Sequence, residues 1–112
     1  MNKSKMYILI LDSVDLGHAI LGAAHASLGG YLAFMETEDS VYGPTSQWRI
    51  NSFRKVVCRV TPAEFEKAKT YGKNMVDYRI MVESGLGGIE VAIVFRPRDN
   101  FEAFFKSLKL YR

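Results

Sequence analysis

The two histidines of this chain are the first residues whose type and spacing could do chemistry. His18 and His25 are seven positions apart, about two helical turns, so a helix through this stretch would project both side chains from one face. An imidazole is neutral near pH 7 and can accept a proton, so either histidine could act as a general base. The alternatives are a solvent-facing His18 without a chemical role and a His25 that hydrogen-bonds to backbone beneath the next loop.

A carboxylate followed by a glycine-rich turn is the second candidate feature. Glu83 could orient His18 or bind a water molecule. The turn after it contains Gly85, Gly87 and Gly88, whose backbone N–H groups could donate to a phosphate or an oxyanion. The alternative is a charged strand end followed by an ordinary β-hairpin connection, because a strand rather than a helix follows the turn.

Thiol and metal chemistry find little support in the sequence. The single cysteine, Cys58, ends the apolar run Val56-Val57-Cys58, so we expect a buried thiol rather than a nucleophile. No paired Cys/His spacing of the zinc-binding kind occurs. We therefore expect neither a metal nor another cofactor.

Composition bounds the class of protein. The 112 residues are enough for one domain, residues 1–112, and 48% hydrophobic with 24% charged residues is typical of a globular chain. The apolar run Met6 to Leu11 is too short for a signal peptide, and no stretch approaches the roughly 20 apolar residues of a membrane span. We expect a cytoplasmic protein without a membrane partner. The net charge of +3 permits a nucleic-acid partner without requiring one.

Hydrophobic periodicity and turn signals predict the elements that must position these residues. The predicted strands are Met6–Leu11, Phe53–Val60, Met75–Val82 and Ile89–Phe95. The first predicted helix runs from Leu16 to about Met35, and a short helical turn is predicted at Gln47-Trp48. The next helix begins at the Thr61–Glu64 capping box and ends at Gly72. The last helix is Phe101–Leu110, for which Asp99 and Glu102 can form a capping box. This order predicts an α/β fold of three layers, a mixed four-stranded sheet flanked by helices.

The first predicted helix carries two stripes that could face the protein interior. Asp15 can cap this helix. One side is apolar and contains Leu21, Ala24, Leu28, Leu32 and Met35. The other contains His18, Gly22, His25 and Gly29. So many small residues lower helix propensity, and this is compensated only where the backbone must lie close to a sheet or a ligand.

In the order of these elements and in the residues that they carry, the sequence resembles the peptidyl-tRNA hydrolase 2 family over nearly its whole length. The family's helix pattern G-K-x-x-x-Q-x-x-H-A corresponds to residues 17–26, and its Q-W pair and K-V-V strand to residues 47–48 and 55–57. Its D-A-G-R-T-Q-I loop corresponds to residues 83–89, and its L-K-L-Y terminus to residues 108–111. The resemblance implies the fold of that family and metal-independent hydrolysis of the ester that joins a peptide to the 3′ end of tRNA.

The resemblance also implies which residues would form the site. The family's lysine falls on His18, its loop aspartate falls on Glu83, and His25 keeps its identity. These three are the candidate catalytic residues, and the candidate substrate-binding positions are Gly22, Gly85, Gly87 and Gly88. The alternatives are hydrolysis of a different small ester or amide and a catalytically inactive domain that holds RNA, a nucleotide or a protein partner.

We also expect a homodimer. Tyr31, Phe34, Tyr42 and Tyr111 are candidates for an exposed aromatic surface, which a partner subunit usually covers. The alternative is a monomer in which residues 36–52 fold back over these rings.

Overall fold

The structure is a computed structural model that describes residues 3–38 and 40–112 of the chain. In chain order its elements are β1 (Lys5–Leu11), α1 (Leu16–Glu36), α2 (Pro44–Asn51), β2 (Arg54–Val60), α3 (Pro62–Ala68), β3 (Tyr78–Glu83), a 3-10 turn (Ser84–Leu86), β4 (Ile89–Phe95) and α4 (Ala103–Lys106). Within the described residues the strands form one mixed four-stranded sheet in the order β2-β1-β4-β3. The predicted α/β class and mixed sheet are confirmed.

Strand β1 lies inside the sheet and is buried on both faces. Because side chains alternate along a strand, Tyr7 and Leu9 face one side and Met6, Ile8 and Ile10 the other. The first pair packs in a core cluster with side chains of α3 and α4. The second set packs in a separate cluster with side chains of α1 and α2. The sheet therefore lies between two helical layers.

Helix α1 packs on the sheet through its smallest residues. Its buried residues are Ala19, Gly22, Ala26, Gly30 and Phe34. A Cβ at Gly30 would stand only 2.8 Å from Cγ1 of Val94 in β4. Small residues at these positions let the helix backbone approach the valines of β4, which accounts for the glycines.

The predicted apolar stripe of α1 does not face the core. Leu21, Leu28 and Leu32 are 43%, 62% and 53% exposed. Of the two stripes, the structure buries positions on the small-residue side, because small residues allow closer contact with the sheet. No helix within residues 3–38 and 40–112 has the length and apolar character to cross a membrane.

The four aromatic residues of the predicted surface are less exposed than the sequence predicted. Phe34 is completely buried in the core, and Tyr31 and Tyr111 are partly buried against it. Only Tyr42 of this group is largely exposed, at 81%. The predicted aromatic surface is therefore mostly part of the core, since α2 and the chain end pack beside α1.

Helix α3 begins at the predicted capping box and ends earlier than predicted. The Thr61 hydroxyl accepts a hydrogen bond from the Glu64 N–H, and the Glu64 carboxylate accepts one from the Thr61 N–H. The helix ends at Ala68 rather than at Gly72. Tyr78 donates a hydrogen bond from its hydroxyl to the Lys69 carbonyl, which ties the end of the helix to the start of β3.

Strand β3 begins later than predicted and is irregular. Met75 adopts a positive φ of 73°, so the strand starts at Tyr78 rather than at Met75. A register shift lies between Met81 and Val82, and Val82 is 57% exposed. The predicted alternation is therefore interrupted by a bulge, which redirects the end of the strand.

The predicted final helix from Phe101 to Leu110 is reduced to the four residues of α4. The residues after it run along the outer edge of β2 instead, where Arg59 donates its N–H to the Lys109 carbonyl at 3.0 Å. Tyr111 donates likewise to the Val57 carbonyl at 2.8 Å. The carboxylate of Glu102 pairs with Arg98 and forms no helix cap. Strand-edge pairing therefore replaces the helical hydrogen bonds that this sequence also favours.

Candidate functional site

The candidate site lies at one edge of the sheet. Strands β1 and β2 are parallel, and both β1 and β3 are antiparallel to β4. The carboxyl ends of β1, β2 and β3 therefore meet at the same edge. Asp15 and His18 follow β1, and Glu83 ends β3. In open α/β sheets, ligands bind beyond the carboxyl ends of the strands.

Asp15 and His18 form a hydrogen-bonded pair in the first turn of α1. Asp15 is the N-cap, and its Oδ2 accepts the His18 backbone N–H at 3.4 Å. Its Oδ1 lies 2.7 Å from His18 Nδ1. The hydrogen bond from the His18 side chain holds the pKa of the Asp15 carboxyl below its ordinary value. In the neutral tautomer that donates from Nδ1, Nε2 carries the lone pair that can accept a proton.

The sequence identified Asp15 only as a helix cap, and its pairing with the imidazole was missed. The signal was available, because residues three apart in the first helical turn are neighbours on the helix surface. An aspartate at the cap with a histidine three positions later is therefore a pattern that can pair carboxylate with imidazole.

His18 and Glu83 converge on Gly85. His18 Nε2 lies 3.9 Å, and Glu83 Oε1 3.2 Å, from the point where a Cβ of Gly85 would stand. The predicted carboxylate and imidazole therefore lie on the same side of the molecule, and a side chain at position 85 would project between them.

The glycine turn uses the N–H groups that were predicted to bind an anion. Gly85 donates its N–H to Glu83 Oε1 at 2.9 Å. Gly87 donates to the Ser84 carbonyl and Gly88 to the Glu83 carbonyl. Gly87 and Gly88 have φ values of 79° and 78°, which only glycine adopts readily. These donors hold the turn, so a substrate oxygen would have to displace the Glu83 carboxylate to reach the Gly85 N–H.

Two further predicted site residues lie outside this convergence. His25 is exposed on α1, about 10 Å along the helix axis from His18. Gly22 is buried, and a Cβ there would lie 3.7 Å from a methyl group of Val91. The contact that the structure gives Gly22 is packing against β4. Their roles in catalysis and substrate binding stay predictions.

The residues predicted to be structural are in the core. Cys58 is fully buried, and burial, together with the Glu64 charge, raises the pKa of its thiol to about 11. Trp48 is 1% exposed and donates its Nε1–H to the Arg54 carbonyl at 2.7 Å, so it packs in the core. In the part of the chain that the structure describes, no three His, Cys, Asp or Glu side chains come together where they could hold a metal ion.

Comparison with known proteins adds no relative to this description. No protein-family model matches the chain, and no curated protein shows significant sequence similarity to it. The resemblance to the peptidyl-tRNA hydrolase 2 family stays a prediction from its motifs.

Proposed function

We propose that this protein is a metal-independent hydrolase of the peptidyl-tRNA hydrolase 2 type, acting on the ester at the 3′ end of peptidyl-tRNA. The observation that carries the proposal is the Asp15–His18 hydrogen bond, with His18 Nε2 3.9 Å from the point where a Cβ of Gly85 would stand. It supports a general-base role for the imidazole that stands where the family has a lysine. The cytoplasm, where translation makes such esters, is the proposed location.

In this proposal His18 Nε2 removes a proton from a water molecule as the water oxygen attacks the ester carbonyl. The ester C–O bond then breaks, and the imidazolium returns the proton to the leaving 3′ oxygen of the tRNA. Asp15 is a positioning residue: its carboxylate fixes the tautomer of His18 and stabilises the imidazolium that forms.

Glu83 completes the arrangement. Its Oε1 accepts the Gly85 N–H and holds the turn. Its other oxygen, Oε2, makes no hydrogen bond within residues 3–38 and 40–112 and is the atom that we propose orients the attacking water.

The test is an assay for cleavage of a peptidyl-tRNA that carries a short peptide. The release of free peptide and of free tRNA is measured. We expect turnover by the wild-type protein and a loss of about 10²–10⁴-fold in kcat for His18→Ala, the usual contribution of a general base. His25→Ala is made in parallel, because it removes an imidazole from the same helix. A loss confined to His18→Ala assigns the base to His18, and equal losses assign a role to both histidines.

Absence of turnover by the wild-type protein, with peptidyl-tRNA still bound, would contradict the hydrolase proposal. It would favour the alternative of a catalytically inactive domain that binds RNA, a nucleotide or a protein partner.

We also propose that the protein forms a homodimer through the outer face of α1. Leu16, Ile20 and Leu28 are 64%, 63% and 62% exposed along that face. Ile50, in α2, and Phe53, just after it, are each 58% exposed. Apolar side chains gathered in this way are a common signature of a subunit interface.

A further inference from the structure

A cleft opens at the same edge of the sheet, between the end of β2, the start of α3 and the residues that follow α4. Its volume is about 770 Å³, within the usual range of small-molecule sites. Its lining includes Arg59, Lys109 and Arg112 as well as Asp12 and Glu64.

The three cations of this cleft form no close ion pair, although two carboxylates share the cleft with them. Arg59, Lys109 and Arg112 are exposed, and none forms an ion pair with any residue in 3–38 or 40–112. The other side-chain ion pairs of the described chain, such as Lys69 with Glu90, lie elsewhere. Positive charge converging on a concave surface attracts anions.

The guanidinium of Arg59 is held in position before any ligand arrives. Its Nη2 donates to the Asp12 carbonyl at 3.3 Å, and its Cζ lies 5.6 Å from the centre of the Tyr111 ring. An arginine fixed by a hydrogen bond and an aromatic ring loses less conformational entropy when it binds a ligand. Arginine in such a setting is suited to phosphate.

The carboxylates in the cleft restrict which anion fits. Asp12 and Glu64 line the cleft beside the cations. Glu64 Oε1 accepts the Thr61 N–H, so this carboxylate is fixed by the capping box. Carboxylates repel a bare phosphate but accept hydrogen bonds from sugar hydroxyl groups, as acidic residues do from ribose in dinucleotide sites. A ligand that carries both phosphate and ribose satisfies both sets of groups.

We infer that this cleft binds a phosphate group and the adjoining ribose of a ribonucleotide or of an RNA strand. Arg59, Lys109 and Arg112 hold the phosphate, and Asp12 and Glu64 accept hydrogen bonds from the ribose. The Cα atoms of Asp12 and Asp15 are at most about 11 Å apart, the reach of three residues. If the proposed function holds, an RNA whose 3′ end lies at His18 extends along this edge, and only that link rests on the proposed function.

The test is the fluorescence anisotropy of a labelled short single-stranded RNA with the full chain. We expect Arg59→Gln and Lys109→Gln each to weaken binding about tenfold, the usual effect of losing one charge-assisted hydrogen bond. Arg59→Lys keeps the charge but loses the fixed guanidinium, and is expected to bind less tightly than the wild-type protein and more tightly than Arg59→Gln. Lys106→Gln removes an exposed cation on α4, outside the cleft, and is the matched control.

Competition identifies the source of the phosphate. Displacement of the labelled RNA by AMP assigns a mononucleotide site, and displacement by unlabelled RNA alone assigns a strand site; either result supports the inference. Unchanged affinity in both cleft variants would overturn it, as would an equal loss in Lys106→Gln. Inorganic phosphate competing as well as AMP, or DNA binding as well as RNA, would overturn the ribose assignment.

The two proposals fail separately. His18→Ala is expected to bind the RNA normally, because His18 does not line this cleft. Loss of cleavage in His18→Ala with retained RNA binding is therefore evidence about the hydrolase proposal and not about the cleft. Loss of RNA binding in Arg59→Gln, which leaves the Asp15–His18 pair untouched, is evidence about the cleft and not about the hydrolase proposal.

Discussion

At the scale of single residues, Asp15 combines two roles. It caps α1 through the His18 backbone N–H and binds the His18 ring through Nδ1. Asparagine caps helices as well as aspartate does but carries no charge. The substitution Asp15→Asn therefore separates the capping role from the charge.

We expect the stability difference between the wild-type protein and Asp15→Asn to depend on pH. The folded pKa of Asp15 is lowered by its hydrogen bond from His18, so the ionised carboxylate stabilises the fold above the unfolded pKa of about 3.9. That contribution is lost as the pH falls through the lowered folded pKa. Urea unfolding between about pH 6 and about pH 2 should show the two proteins converging at the acid end.

The outcome that contradicts this prediction is a free-energy difference that stays constant over the pH range. Asp99→Asn, a change at an exposed aspartate with no ion pair among the described residues, is the control and should show a smaller pH dependence.

At the scale of elements, the contact between α1 and β4 depends on one glycine more than on its neighbour. A Cβ at Gly30 would meet both methyl groups of the buried Val94, at 2.8 and 2.9 Å. A Cβ at Gly29 would lie 3.7 Å from Met81 Cε, an ordinary contact with a flexible side chain. The same substitution at adjacent positions should therefore have opposite effects.

We expect Gly30→Ala to lower the free energy of unfolding by about 1–3 kcal/mol through overpacking. Gly29→Ala should leave it unchanged or raise it by about 0.5–1 kcal/mol, because alanine favours the helix. Urea unfolding of both variants measures this. Equal effects at the two positions would show that α1 does not approach β4 as closely as described.

The same contact shows what could and could not be predicted from the sequence. Local signals predicted the start of α3 and the bounds of β4 correctly, because a capping box and an apolar run act within a few residues. The sequence left the buried side of α1 open between two stripes, because that choice depends on contacts such as the one with Val94, a residue far away in sequence. The predicted end of the last helix was wrong because residues 109–111 form backbone hydrogen bonds with β2. No local sequence pattern indicates this pairing.

The candidate site, too, could be predicted from the sequence only in part. The types of His18 and Glu83 were visible in the sequence, but their convergence on Gly85 requires the sheet order that brings β3 and α1 together. The internal use of the Gly85, Gly87 and Gly88 N–H groups agrees with the alternative of an ordinary connection between strands, but the sequence did not predict their partners, which depend on the geometry of the turn.

At the scale of the whole molecule, the exposed apolar residues of α1 predict the oligomeric state. We expect light scattering at micromolar concentration to give about twice the single-chain mass of 12.7 kDa. Ile20→Glu should shift the mass toward the monomer, because it places a charge within the apolar face. Lys106→Glu, on the opposite helical layer, should leave the mass unchanged.

A wild-type mass near 12.7 kDa that does not change with dilution would contradict the homodimer. The exposed face of α1 would then be a feature of the monomer.

The position of β1 in the sheet has a consequence for how the chain reaches this fold. β1 is the first strand in sequence, yet Lys5 pairs with Arg54 of β2 and Ile8 pairs with Val94 of β4. The hairpin of β3 and β4 closes locally, whereas β1 can pair only after long loops have closed, at an entropic cost. We expect this pairing to be the slow step of folding, which refolding kinetics of an Ile8→Val variant would test. Until β1 pairs with it, β4 has one unpaired edge. The apolar residues of this strand can then associate with other unfolded chains.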